Sequence, residues 1–223
     1  MSGIETYNLF DLTHTIAKNL LSDYTYPWEA LGEIKNYIIG VGKTLDKNLY
    51  NEVEENIWIS KSAMVSVTAC ISGPCIIGHN TEVRHCAFIR GSALIGENCV
   101  VGNSTELKNC ILFDNVQVPH FNYVGDSILG YKSHMGAGSV TSNVKSDKTA
   151  VIVKDKINGT EIDTGRKKCG AMLGDFAEVG CNAVLNPGTV IGRHSQIYPT
   201  SCVRGVVSEN SIFKNDGTII KKH

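Results

Sequence analysis

The chain lacks a charge surplus of either sign. Its 223 residues carry 21 Lys and Arg against 22 Asp and Glu. That balance excludes a broad cationic surface for nucleic acid and confines any phosphate recognition to a local cluster. It also lacks a long apolar run: none approaches the roughly 18 residues of a membrane span. The N-terminus has no basic, apolar and small-residue signal arrangement. These absences predict a soluble, cytoplasmic protein with no nucleic-acid or membrane partner. Eight cysteines are present, but CxxC and zinc-ribbon spacings are missing, so free thiols in a reducing compartment are expected. With 42% apolar residues the chain can build a solid core, and nothing points to disorder.

What the chain does have is a period. An apolar residue returns every six positions at Ile59, Val65, Ile71, Ile77, Val83, Ile89, Ile95, Val101, Leu107 and Phe113. A small residue stands four places after most of them, as at Ala63, Ala69, Cys75, Thr81, Ala87, Ala93, Cys99 and Thr105. This is the hexapeptide register of a parallel β-helix: one bulky aliphatic per wall, and a small neighbour where walls meet. The register is expected to slip by five from Val124 to Leu129, continue at Met135, and vanish from about Thr141 to Ala171. It resumes at Leu173, Val179, Leu185, Ile191, Ile197 and Val203.

The expected fold is therefore all-β, with three parts. Residues 1–55 form a helical cap, since Leu9, Leu12, Ile16, Leu20 and Leu21 have helical spacing over about 8–50 and Pro27 can open a second helix. Residues 56–210 form the β-helix, with a polar hairpin insertion at about 146–168. Residues 211–223 form a C-terminal hairpin and tail turning at Asn215, Asp216 and Gly217. A solenoid has open ends, so the cap is expected to cover one of them or an oligomer contact.

Three hexads make one turn, so residues 18 apart should stack. Arg90 and Lys108 are 18 apart, each directly after a core aliphatic. Two stacked cations repel unless an anion lies between them, and a guanidinium beside an ammonium suits a phosphate. Two solvated surface cations are the plain alternative. His120 falls in Pro119-His120-Phe121-Asn122-Tyr123, where the slip is expected to push the chain out of its wall. Its imidazole is the side chain suited to proton removal near neutrality. The run Arg166, Lys167 and Lys168 is either a solvated face or a contact for an anionic cofactor.

Several motifs carry a resemblance. They are Glu106-Leu107-Lys108, then His120-Phe121-Asn122-Tyr123-Val124-Gly125-Asp126, then Met135-Gly136-Ala137-Gly138-Ser139, Asn143, and Gly165-Arg166-Lys167-Lys168-Cys169-Gly170-Ala171. Together they resemble the acetyltransferase half of bifunctional N-acetylglucosamine-1-phosphate uridyltransferases and related sugar-1-phosphate nucleotidylyltransferases, a hexapeptide-repeat acyltransferase family. Pro27-Trp28-Glu29-Ala30-Leu31 is similar to the short linker before that domain. The resemblance implies a left-handed coil, acetyl-CoA as co-substrate, no metal, and homotrimers with active sites between adjacent coils. It implies His120 as general base. Arg90 and Lys108 would hold a sugar phosphate, and Tyr123, Asn143 and Lys148 would contact the sugar substrate. Ala137 would present its backbone to the thioester carbonyl, and Arg166, Lys167 and Lys168 would meet the coenzyme. His134 stands at an amino-sugar position where better-known members carry Asn, and Asp175 stands near the coenzyme where they carry Ser. No Gly-rich nucleotide loop accompanies these motifs, so no nucleotidyltransferase site is expected.

The expected activity is acetyl transfer to the amine of glucosamine 1-phosphate, galactosamine 1-phosphate or a related amino sugar, within UDP-N-acetylhexosamine metabolism. The alternative is a non-catalytic sugar-phosphate or sugar-nucleotide module that partners a separate nucleotidyltransferase. A zinc site like that of hexapeptide-repeat carbonic anhydrases is disfavoured, because His79, His85, His120 and His134 do not reproduce its spacing.

Overall fold

The computed structural model describes residues 3–156 and 158–222. Met1, Ser2, Ile157 and His223, which the expected cap, insertion and tail include, lie outside the described residues. The chain folds as a left-handed parallel β-helix with three walls. The first wall stacks Ile57–Ser60, Cys75–Ile77, Ala93–Ile95, the ends of Glu106–Leu112 and Tyr123–Leu129, then Ala171–Leu173, Thr189–Ile191 and Val206–Val207. The second runs from Met64–Val65 through Val100–Asn103, Gln117–His120 and His134–Met135 to Ser211–Phe213. The third carries Cys70–Ile71, Phe88–Ile89, the starts of Glu106–Leu112 and Tyr123–Leu129, Val140–Thr141, Val184–Leu185 and Cys202–Val203.

Each hexad aliphatic points inward, and each small residue sits where walls converge; Ile77, Ile89, Ile95, Val101 and Leu107 are fully buried. The corners between strands need one residue with positive φ, and the chain mostly places Asn, Ser or Asp there, as at Asn80, Asn98, Asn115, Ser92, Asn109 and Asp126. Early rungs repeat every 18 residues, with Cys75 beside Ala93. The first five-residue step comes earlier than the period suggests. Ile95 pairs with Leu112, not Phe113, and Leu112 with Leu129, so both Leu107–Leu112 and Val124–Leu129 are short steps. Phe113 masks the first one by also being buried, packed 5.1 Å from Phe10.

The first wall is apolar on both sides. Its outward ladder, Trp58, Ile76, Leu94, Ile111, Ile128, Met172 and Val190, is as buried as its inward one. The N-terminal segment lies along this wall rather than over an open end. Ile34–Gly42 packs on the strands at Cys75, Ala93 and Glu106–Leu112, and the 3-10 turn Pro27–Gly32 packs on Tyr123–Leu129. Trp28, Leu31, Ile34 and Ile38 supply the covering face. The expected pair of long helices is instead a string of short pieces: Thr6–Leu9, Leu12–His14, Lys18–Ser22, Pro27–Gly32 and Ile34–Gly42. Contact with a flat wall substitutes for helical continuity, and Tyr50–Glu54 then pairs antiparallel with the first rung.

The inserted hairpin pairs Ile152–Asp155 with Thr160–Asp163 and buries Val151 and Val153. It lies beside Val206–Val207, covering the lower part of the same wall. Ser211–Phe213 pairs antiparallel with Ile219–Lys221. No described helix is long and apolar enough to cross a membrane.

Two outcomes follow from this packing. Leu94→Ala is expected to lower unfolding free energy by about 2–4 kcal/mol in a denaturant melt, whereas Val67→Ala, at a fully exposed position, leaves it within about 0.5 kcal/mol. Burial pushes the thiols of Cys99, Cys110 and Cys169 up to about 12 and raises Cys75 as well. A thiol reagent should therefore titrate only Cys70, Cys86, Cys181 and Cys202 in native protein, and all eight after denaturation.

Candidate active site

The stacking of Arg90 on Lys108 follows from register: Ile89 pairs with Leu107, and the Arg90 N–H donates to the Leu107 carbonyl at 2.8 Å. The two cations do not confront each other bare. Arg90 Nη1 pairs with Glu106 Oε1, and Lys108 Nζ sits 3.0 and 3.1 Å from the two oxygens of Asp126. Internal carboxylates thus supply the anions that the stacked pair demands. The Arg90 pair is half open to solvent, with side chains 47% and 32% exposed, and contributes little by itself. Asp126 is different: its side chain is 3% exposed. Besides Lys108 it accepts from Asn109 Nδ2 at 2.9 Å and from Asn143 Nδ2.

Tyr123 joins this group through Gly125. A Cβ built at Gly125 would lie 2.4 Å from the Tyr123 hydroxyl, so only glycine lets the phenol fold back over the strand. There the hydroxyl accepts from Asn143 Nδ2 at 3.2 Å. Burial, then the neighbouring Asp126 charge, raises the Tyr123 phenol above its ordinary value; it stays neutral through the physiological range. Arg90, Lys108, Tyr123 and Asn143 therefore gather along one edge of the third wall.

His120 stands at the opposite edge of that wall. It ends the strand Gln117–His120 beside Asn103, which precedes Lys108 by five residues. Among the described residues no hydrogen bond or ion pair joins the imidazole to Arg90 or Lys108. Nor does the chain leave its wall here. Gly102 accommodates the Pro119 carbonyl, which would lie 1.5 Å from an added Cβ, and Phe121 takes the same positive φ as Cys86 and Ser104 at this corner. His120 is exposed, at the end of a regular strand, not on a bulge. Ala137 lies on the adjacent rung: the Gly138 N–H donates to the His120 carbonyl at 3.0 Å, and Gln117 pairs with His134. Buried Asn122 ties the two corners together. Its Oδ1 accepts from the His120 N–H at 3.1 Å, and its Nδ2 donates to the Gly136 and Ser139 carbonyls at 2.8 and 3.1 Å.

His134 lies on the second wall, away from Tyr123 and Asn143, with Nδ1 2.9 Å from Glu178. Lys148 is exposed in the loop before the hairpin. The basic run divides: Lys167 and Lys168 are exposed, while half-buried Arg166 turns toward the N-terminal segment, 3.0 Å from a Cβ built at Gly32. Its Nε is buried without a hydrogen-bond partner.

Asp175 is placed against its expected coenzyme role. Its side chain is fully buried. Oδ2 accepts from the Asp11 N–H at 2.7 Å and meets Arg193 at 2.9 Å, while Oδ1 accepts from the Tyr131 N–H at 2.8 Å. It fastens the N-terminal segment to the coil and has no open face for a ligand.

Sequence reasoning missed Glu106, Asn109, Asn122 and Asp126. All stand inside or beside the quoted motifs, and Asp126 lies 18 residues after Lys108. It also missed a groove of about 440 Å³ between the hairpin and the third wall, with Ser142, Lys145, Lys154, Asn186 and Arg204 in its lining. The described residues contain no group of three or more His, Cys, Asp or Glu side chains that could hold a metal.

A profile of the GMPPB C-terminal domain matches residues 71–164. The bifunctional protein GlmU of Methanococcus maripaludis is 31% identical over 208 residues, 92% of this chain and 50% of that protein. The chain is similar to the bifunctional GlmU proteins over most of its own length. It spans about half the length of the GlmU relatives that it matches most fully. The bifunctional sugar-1-phosphate nucleotidylyltransferase/acetyltransferase of Sulfurisphaera tokodaii is 34% identical over 104 residues, 47% of this chain and 25% of that protein. Among solved structures, PerB of Caulobacter crescentus in complex with CoA and GDP-perosamine aligns with TM-score 0.39 and 17% identity. That alignment covers 73% of this chain and 56% of PerB.

Asp175→Asn is expected to cost about 2–4 kcal/mol of stability, because Arg193 loses its buried counter-charge. Faster proteolysis of the first 20 residues, with the coil intact, is the accompanying readout.

Proposed function

We propose that the chain transfers the acetyl group of acetyl-CoA to the amine of a hexosamine 1-phosphate, glucosamine or galactosamine, in UDP-N-acetylhexosamine synthesis. The observation that carries this reading is the gathering of Arg90, Lys108, Tyr123 and Asn143 along one edge of the third wall in a chain similar to the GlmU proteins. A phosphate would engage the outward faces of Arg90 and Lys108 in competition with Glu106 and Asp126. Tyr123 and Asn143 would orient the sugar, which by itself lowers the barrier. His120 would take one proton from the substrate ammonium, freeing the nitrogen lone pair to attack the thioester carbonyl carbon. The carbon–sulfur bond then breaks, and the second proton leaves the nitrogen for the departing coenzyme thiolate, giving the amide, the free thiol and one proton held on His120. A backbone N–H near Ala137 would meet the oxyanion, a donor of the kind worth a few kcal/mol.

In this reading the site is completed between copies of a homotrimer, one chain supplying His120 and Ala137 to the sugar-phosphate edge of its neighbour, with Lys148 reaching across. Lys167 and Lys168, with Lys145, Lys154 and Arg204 of the groove, would receive the coenzyme phosphates.

A second reading rests on the internal pairing of both cations and on the place of His120 at the end of a different wall's strand. It is a non-catalytic sugar-phosphate or sugar-nucleotide module that partners a separate nucleotidyltransferase. Thiol release from acetyl-CoA separates the two. The acetyltransferase releases coenzyme in the presence of glucosamine 1-phosphate or galactosamine 1-phosphate, and a binding module releases none with any amino sugar. His120→Ala is expected to slow release at least about 100-fold while leaving the melting temperature unchanged, since the imidazole is exposed. A variant as fast as wild type ends the assignment of the base.

A further inference from the structure

We propose that Asp126 is the positioning residue of the sugar-phosphate site, fixing where Lys108 points its charge and which end of its amide Asn143 presents. The proposal rests on the sugar-phosphate reading above. The carboxylate is only 3% exposed, so it acts through its neighbours. Oδ1 accepts from Lys108 Nζ at 3.0 Å and Asn109 Nδ2 at 2.9 Å; Oδ2 accepts from Lys108 Nζ at 3.1 Å and from Asn143 Nδ2.

The fold itself does not ask for a charge at this corner. Ser92, Asn109 and Asp126 occupy it on successive rungs, with φ of 51°, 50° and 48°. Ser and Asn serve the same backbone conformation without ionising, whereas a buried carboxylate is costly unless it is paired. The pairing is what Asp126 adds. Lys108 is 27% exposed on a flexible stem; anchored through the Asp126 oxygens, it directs its remaining donor capacity outward to one place. Asn143 commits its amide nitrogen to Asp126 and Tyr123, which turns its carbonyl outward as an acceptor for a sugar hydroxyl. Asn109 also donates to the Leu31 carbonyl at 3.1 Å, bracing the cluster on the N-terminal turn.

Positioning and plain electrostatics predict opposite signs. Asp126→Asn removes a negative charge beside the phosphate-binding lysine, so electrostatics alone predicts tighter anion binding. Positioning predicts the reverse: calorimetric affinity for glucosamine 1-phosphate falls about tenfold, and KM rises by a similar factor while kcat stays within about threefold. In a Lys108→Gln background the added effect of Asp126→Asn should shrink below about twofold. Unchanged or tighter binding, or an undiminished loss in the Lys108→Gln background, overturns the proposal. A wild-type measurement guards against a misfolded variant. Nitrogen-15 relaxation should find the Lys108 ammonium rigid before ligand is added, and a freely reorienting ammonium overturns the proposal too. Wild-type protein that binds neither glucosamine 1-phosphate nor galactosamine 1-phosphate removes the functional reading, and this proposal with it.

Discussion

Burial of the first wall on both faces is the constraint from which the remaining arrangement follows. Its inward ladder closes the coil, and its outward ladder, from Trp58 to Val190, exposes a second apolar sheet face unless something covers it. The N-terminal segment covers the upper part and the inserted hairpin the lower part. Fully burying each such aliphatic is worth about 1.5–3 kcal/mol relative to leaving it exposed, so a row of them dominates the placement of both appendages. The short N-terminal pieces need little helical stability of their own, because the wall supplies the contacts.

Covering the first wall leaves the two edges of the third wall for polar chemistry. At one edge the motif residues Glu106, Lys108, Tyr123 and Asp126 meet Asn143; at the other, His120 lies one rung from Ala137. The 17-residue rungs in this region matter for that geometry. Shortening by one residue puts Gly125, not Asp126, directly beside Lys108, and so lets the carboxylate reach back from the corner to the ammonium. The outcome is a compact patch in which the charges of Arg90, Lys108, Glu106 and Asp126 are already matched.

The repeat made the coil legible because each hexad aliphatic reports only on its own wall. The stack of Arg90 on Lys108 was legible for the same reason, since 18-residue spacing holds across that rung. The earlier short step was not, because Leu112 and Phe113 are both apolar and both buried. The network of Asp175 is not legible for a related reason: its motif position suggests a ligand contact, whereas its oxygens meet Asp11, Tyr131 and Arg193 in the fold. None of those partners is near it in the chain except Arg193, so no local pattern announces the network.

By itself, the sequence determined the period, the inward residues apart from the step at Leu112 and Phe113, and the identity of the motif side chains. Each of these depends on neighbours a few positions apart, and steric rules act at that range. Only the tertiary structure decided what covers the first wall, which carboxylate answers which cation, and that His120 and Lys108 face different edges. Those outcomes depend on pairings between residues 16 to 164 positions apart, where burial and charge compensation act on proximity that only the folded coil creates.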